Sequence, residues 1–331
     1  MDVPIYEARP WFCPRGDALR FLPEGPRVCG KDEISWVAIQ HGSQATYGSL
    51  NVLRVGADLS VVENRNYVLD GRPGFAMPTT TAGQFLGGNE RQLVVYDITD
   101  GRCRTMGEPV EQDVTGTIIN DAEMFEDGLV FGAKDVQFTE PKAGLYLYRS
   151  LDGAMLQLRS DQVCSNGKVL KRRSDQTWTL WDIDTPRKQV VQYCLDVARG
   201  TLHEERVAID LTDDEAYPDG MVETPDGQSV IIAMYNPHPA PWGEARQYSL
   251  TEGRCERLWR VPGSPQVTCP QLFEWQGRVY LVLTTAVEYM PDERKTGSPY
   301  AGWLFLAETP WHGPLRRKLW DIAQRKAVWV E

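Results

Sequence analysis

Short apolar runs recur from one end of the chain to the other. Ile34-Ser35-Trp36-Val37-Ala38-Ile39, Gln92-Leu93-Val94-Val95-Tyr96 and Gly144-Leu145-Tyr146-Leu147-Tyr148 are early examples. Val230-Ile231-Ile232-Ala233-Met234 and Arg278-Val279-Tyr280-Leu281-Val282-Leu283 follow later. Each is short, rich in β-branched and aromatic side chains, and bounded by turn residues, which predicts strands. Asp-Gly pairs punctuate them at Asp70-Gly71, Asp100-Gly101, Asp127-Gly128, Asp152-Gly153, Asp219-Gly220 and Asp226-Gly227, and Asn166-Gly167 adds another. Glycine accepts the positive φ of a two-residue hairpin turn, so these pairs predict tight turns. No long amphipathic helix is evident, and residues 314–325 fit a short helix or a strand equally well.

The strands group into a degenerate repeat. An apolar strand, an Asp-Gly turn, a second strand and a phrase such as Leu-Tyr-Leu-Tyr-Arg recur around residues 91–104, 128–158, 177–202 and 227–258. That predicts an all-β chain folded as a six-bladed β-propeller of four-stranded antiparallel blades around a central channel, about 55 residues per blade. No linker divides the chain. The Pro-rich stretch at residues 236–242 is short and aromatic, which suits a loop over one face of the ring. The expectation is one domain over residues 1–331, with 1–21 as an N-terminal arm or closing strand and 307–331 as a C-terminal closing segment.

Composition narrows the function. The chain has 331 residues and a net charge of −11, which argues against nucleic-acid binding. The basic run Lys171-Arg172-Arg173 is short and suits a solvated turn. No apolar stretch is long enough to span a membrane. The first residues carry no basic segment followed by an apolar run, so no secretory signal is read there. Seven cysteines, an odd number with no C-x-x-C pair, fit reduced thiols in a cytoplasmic protein. No G-x-S-x-G elbow, Walker loop or dinucleotide fingerprint is present. The four histidines form no ligand pattern, so a nitrogen-rich zinc site is disfavoured. The expected partner is a small-molecule substrate.

Candidate chemistry lies in four turn-like segments. They are Pro23-Glu24-Gly25-Pro26, Ile119-Asn120-Asp121, Ser165-Asn166-Gly167 and Pro218-Asp219-Gly220. Glu24, Asn120, Asn166 and Asp219 are separated by about two, one and one units of a roughly 40–50-residue repeat. In a ring the same end of every unit faces the channel, so these side chains can meet around one ion. Two carboxylates and two carboxamides suit a hard divalent cation, calcium first and zinc, magnesium or manganese as alternatives. Singly, each segment also reads as an ordinary turn, and Asn166-Gly167 and Asp219-Gly220 are hairpin signatures by themselves.

In order and with their gaps, these motifs resemble the regucalcin/gluconolactonase family of six-bladed β-propellers, also called LRE-like. Pro23-Glu24-Gly25-Pro26 followed by Ile34-Ser35-Trp36-Val37 is similar to its E-G-P…L-Y-W-V-D opening. Ile119-Asn120-Asp121 with Leu129-Val130-Phe131-Gly132 is similar to F-N-D…R-F-W-A-G. Ser165-Asn166-Gly167 with Leu180-Trp181-Asp182-Ile183-Asp184-Thr185 resembles P-N-G…L-Y-x-x-D-T. Pro218-Asp219-Gly220 and Val267-Thr268-Cys269 match the two later segments.

The resemblance implies Glu24, Asn166 and Asp219 as metal ligands, Asn120 beside the metal as a ligand or substrate contact, and Asp219 as general base. A carboxylate on a cation is a weak base, so Asp121 is the alternative. Three positions depart from the family pattern: Ile118 replaces a frequent Arg, Lys168 replaces an apolar residue, and Ala38 replaces the Asp of W-V-D. Ile118 and Lys168 join Asn120 as expected substrate-shell positions. The expected activity is metal-dependent hydrolysis of a lactone or related cyclic ester. The alternatives are a phosphotriesterase on the same metal site and a non-enzymatic calcium-binding or scaffold propeller.

Overall fold

A computed structural model describes residues 3–330. The apolar runs form strands, and the strands form six four-stranded antiparallel blades. The first strand of each blade touches the first strand of the next. These strands are Pro23–Val28, Pro73–Pro78, Thr117–Phe125, Ser165–Arg172, Tyr217–Glu223 and Val267–Trp275, and their contacts close into a ring. They line the central channel. Side chains on blade faces then pack blade to blade, which produces six buried apolar clusters, one per interface. This explains why the inner runs read as continuous rather than alternating: both faces of a blade are covered.

The N-terminal arm completes two blades. Arg9–Phe12 pairs antiparallel with Leu304–His312 as the outermost strand of the sixth blade, so strands from both halves of the chain share one sheet. Ile5–Glu7 adds to the fifth blade in parallel, beside Cys255–Pro262. Closure of this kind leaves no open ring edge.

The C-terminal segment differs from the expectation of a closing element. Beyond the sixth-blade strand it forms a separate hairpin, Arg317–Asp321 with Lys326–Val330. The hairpin packs between the second and third blades, where Trp320 is fully buried with Phe75, Met77 and Phe131. The outer edge of the sixth blade is already occupied by Arg9–Phe12, so the apolar face of the hairpin finds its cover elsewhere. Within residues 314–325 the structure has the strand Arg317–Asp321 and the turn that follows it, and no helix.

Four Asp-Gly pairs, at 100–101, 127–128, 152–153 and 226–227, are hairpin turns with positive-φ glycines. Asn166-Gly167 and Asp219-Gly220 are not. They lie inside the inner strands Ser165–Arg172 and Tyr217–Glu223. There the ladder skips between Ser165 and Lys168 and between Pro218 and Met221. Equivalent irregularities interrupt the other four inner strands, between Glu24 and Arg27, Pro73 and Phe75, Ile119 and Ala122, and Val267 and Cys269. Extra residues in a β-ladder bend the strand and re-aim its side chains. The ring therefore carries a circle of bulges at one height.

Candidate metal centre at the channel mouth

The bulges bring Glu24, Asn120, Asp121, Asn166 and Asp219 to one end of the channel. The carboxamides are held in order by a chain of hydrogen bonds across three blades. Asn120 Nδ2 donates to Asn166 Oδ1 and to the Ser165 carbonyl, each at 2.9 Å. Asn166 Nδ2 donates to Thr185 Oγ1 at 2.7 Å, and that hydroxyl donates to the Pro218 carbonyl at 2.9 Å. Asn166 thus uses its Nδ2 as donor to Thr185 and its Oδ1 as acceptor from Asn120. On the far side, Thr268 Oγ1 donates to the Pro23 carbonyl at 2.7 Å, tying the sixth blade to the strand that carries Glu24.

The carboxylates are left electrically unsatisfied. Asp219 is 8% exposed, and among the described residues its side chain has no hydrogen-bond or ion-pair partner. Burial pushes it well above the usual carboxylate range, and the Glu24 carboxylate adds to the shift. Glu24 accepts only its neighbouring Gly25 N–H, at 3.0 Å. Burial raises it to about 8, with Asp121 adding to the rise and Lys134 opposing it. Each carboxylate resists ionisation of the other.

This arrangement fits a divalent cation. Two ionisable oxygens without a counter-ion and an oriented carboxamide oxygen are a hard-ion donor set. Among the described residues no group of three or more His, Cys, Asp or Glu side chains is placed to hold a metal ion.

The remaining expected residues fall in distinct places. Asp121 is half-buried, and its Oδ1 accepts the Ala122 N–H at 2.7 Å. It stands close enough to Glu24 and Asp219 for its charge to raise both. Ile118 is buried among apolar side chains that include Val136, Tyr235 and Ala286. Lys168 departs from its expected place in the substrate shell. Its amine donates to the Asn166 carbonyl and lies 3.4 Å from Asp182, with both side chains buried. Asp182 is its cross-strand register partner, so the pleat directs the lysine into the blade. Lys168 supports the strand that carries Asn166.

Three groups at the mouth lie outside the quoted candidates. Thr185 bridges the fourth and fifth blades, as described. Lys134, in the strand Gly128–Asp135, and Glu288, just after Arg278–Thr285, are both buried yet act electrostatically on Glu24 and Asp219. Burial raises the Glu288 carboxyl, and Lys134 opposes that shift. A single charge ending the otherwise uncharged run Leu129-Val130-Phe131-Gly132-Ala133 is the one sequence signal that marks Lys134.

The opposite end of the channel opens into a cavity of about 840 Å³ lined by Met124, Trp275 and Trp329 among others. There Glu123 is paired with Arg27 at 3.1 Å and with Lys318 of the C-terminal hairpin. Glu24, Asp219 and Glu288 do not line that cavity.

A closed six-bladed propeller with oxygen-bearing bulges around its axis defines the class. The chain belongs to the SMP-30/gluconolactonase/LRE-like family, whose profile matches residues 22–287. It is 26% identical over 220 residues to YvrE of Bacillus subtilis (strain 168), which is named as a candidate sugar lactone lactonase; the match covers 65% of this chain and 69% of that one. Its fold is similar to that of a calcium-binding protein, regucalcin, from Agrobacterium tumefaciens strain C58. The TM-score is 0.76 at 19% identity, covering 94% of this chain and 96% of that one. A luciferin-regenerating enzyme is similar at TM-score 0.72 and 16% identity, covering 89% and 93%. Among the described residues no helix is long and apolar enough to cross a membrane.

Proposed function

We propose that this protein is a divalent-cation-dependent hydrolase of a lactone or related cyclic ester. The observation that carries the reading is the pair of mutually opposed carboxylates at the mouth, half-buried Glu24 and buried Asp219, neither of which has an ion-pair partner among the described residues. Membership of a family that includes lactonase-type relatives supports it. Glu24, Asn166 and Asp219 would hold the cation, with calcium the first candidate given a calcium-binding structural relative. Once bound, a cation there supplies Lewis acidity toward an ester carbonyl.

The chain's own groups do the rest. Asn120 fixes Asn166 and stands beside the cation position, where it can hold substrate. Asp121 and Asp219 are the two carboxylates within reach to take a proton from attacking water. Asp121 is the one of the two not assigned to the cation. The apolar group around Ile118 gives the mouth a water-poor wall. Seven free cysteines suit a reducing, cytoplasmic setting.

The test is turnover of a lactone panel before and after chelation. Removal of divalent ions abolishes hydrolysis, and calcium restores it. Full activity in a thoroughly chelated sample would end the proposal. Tight ion binding with no turnover of any ester would favour a calcium-binding scaffold instead.

A further inference from the structure

Lys134 is a charged group at the mouth that neither the cation set nor the scaffold uses. It is 6% exposed, and among the described residues its amine makes no hydrogen bond or ion pair. Its amine lies 5.5 Å from the centroid of the Phe138 ring. The other strongly buried lysine, Lys168, shows the usual arrangement, with Asp182 beside it. Lys134 is thus an ammonium donor that no hydrogen bond or ion pair of the fold uses.

Position supports a role at the substrate. Lys134 pairs in register with Ile118 and bridges to Cys164, neither of which offers it a charge partner. Its charge is felt by Glu24, Asp219 and Glu288, which come from the first, fifth and sixth blades. The position of Lys134 is fixed by its backbone neighbours: Ile118 precedes Asn120 by two residues, and Cys164 precedes Asn166 by two.

We propose that Lys134 contacts the substrate and donates its proton to the leaving oxygen of the bound ester. The assignment rests on the hydrolase reading above. Ester cleavage builds negative charge on two oxygens, the carbonyl oxygen and the leaving oxygen. The cation set serves the first, and the second needs its own donor. The carboxylates around Lys134 would repel a permanently anionic substituent. They tolerate an oxygen that becomes negative only as its bond breaks.

The step balances. The base carboxylate takes a proton from water, and the water oxygen bonds to the acyl carbon. The bond from that carbon to the leaving oxygen then breaks, and Lys134 Nζ gives that oxygen a proton. The amine regains a proton from the base through solvent, leaving one acid and one hydroxyl.

The experiment compares wild type, Lys134→Met, Lys134→Arg and the double variant Lys134→Met/Ile118→Lys. Substrates are lactones graded from aliphatic to phenolic leaving oxygens, and circular dichroism melts confirm folding. Lys134→Met is expected to lose about 100-fold in kcat on aliphatic lactones and only a few-fold on phenolic ones, whose leaving oxygens need little help. The dependence of log kcat on leaving-group pKa therefore steepens. Lys134→Arg, which keeps the charge and donates poorly, steepens it as well. The amine moved to position 118, the register partner, partly restores the shallow slope. An equal loss on every lactone, or no loss, overturns the assignment and leaves Lys134 as a counter-charge to the acids. Wild-type turnover is measured first. Absence of any ester hydrolysis sinks the hydrolase reading and this assignment with it, whereas a uniform loss sinks only the assignment.

Discussion

Glu24 is pushed by its surroundings toward its neutral form. Burial is the largest cause, the Asp121 and Glu288 charges add to it, and the Gly25 N–H and Lys134 oppose it. The result is about 8, against 4.5 for the unperturbed group. The sign follows directly. A carboxyl that holds its proton more tightly when folded stabilises the fold at low pH and loses that contribution as pH rises through its folded value. Without divalent ions, the melting temperature is expected to fall between about pH 4.5 and about 8. Glu24→Gln flattens that fall, and added calcium lifts the upper end most. A chelated wild type whose melting temperature tracks that of Glu24→Gln across the window would show that Glu24 is not strained. At this scale the ligand candidates were legible, because each sits in a short motif with its own residue order. Lys134 and Glu288 were not, because their meaning depends on which charges other blades place opposite them.

The inner-strand bulge is the element that turns these residues into a site. Asn166-Gly167 and Asp219-Gly220 have the composition of hairpin turns, and local sequence alone reads them so. In the ring they are strand residues pressed against the next blade. A Cβ on Gly167 would lie 2.4 Å from Met221 Cβ and 2.5 Å from its backbone nitrogen. A Cβ on Gly220 would lie 2.6 Å from Cys269 Sγ. These glycines are required by close approach between blades, not by a positive φ. Gly167→Ala is expected to destabilise the fold by about 3 kcal/mol. It also weakens calcium binding, because the strand carrying Asn166 must move away from the one carrying Asp219. Urea melts and calorimetric titration check both. An alanine variant with wild-type calcium affinity would show that the blade contact does not set the ligand spacing.

The whole molecule is a closed ring held by contacts between residues distant in sequence. Its closing strand, Arg9–Phe12, sits beside Leu304–His312, and its C-terminal hairpin wedges between two blades far from the sixth. Trp320 anchors that wedge, fully buried, although its indole N–H has no hydrogen-bond partner. Trp320→Ala is expected to cost about 3 kcal/mol, the lower part of the range for large aromatic deletions, since one unsatisfied polar group leaves with the ring. Lys318 on the same hairpin reaches Glu123, so the loss extends to the far end of the channel. A chemical denaturation midpoint unchanged from wild type would show that the hairpin is an appendage and not part of the packed ring.

The linear order of residues was enough to read strands, a repeating unit and a propeller from periodicity, and to single out Glu24, Asn166 and Asp219 as candidates from short motifs that resemble the family's. Tertiary structure alone decided that two apparent turns are bulges, that Lys168 is spent on Asp182, and that Lys134 and Glu288 face the carboxylates. Periodicity is a property of neighbours along the chain. Charge balance and close approach are properties of neighbours in space, and in a propeller most of those come from another blade.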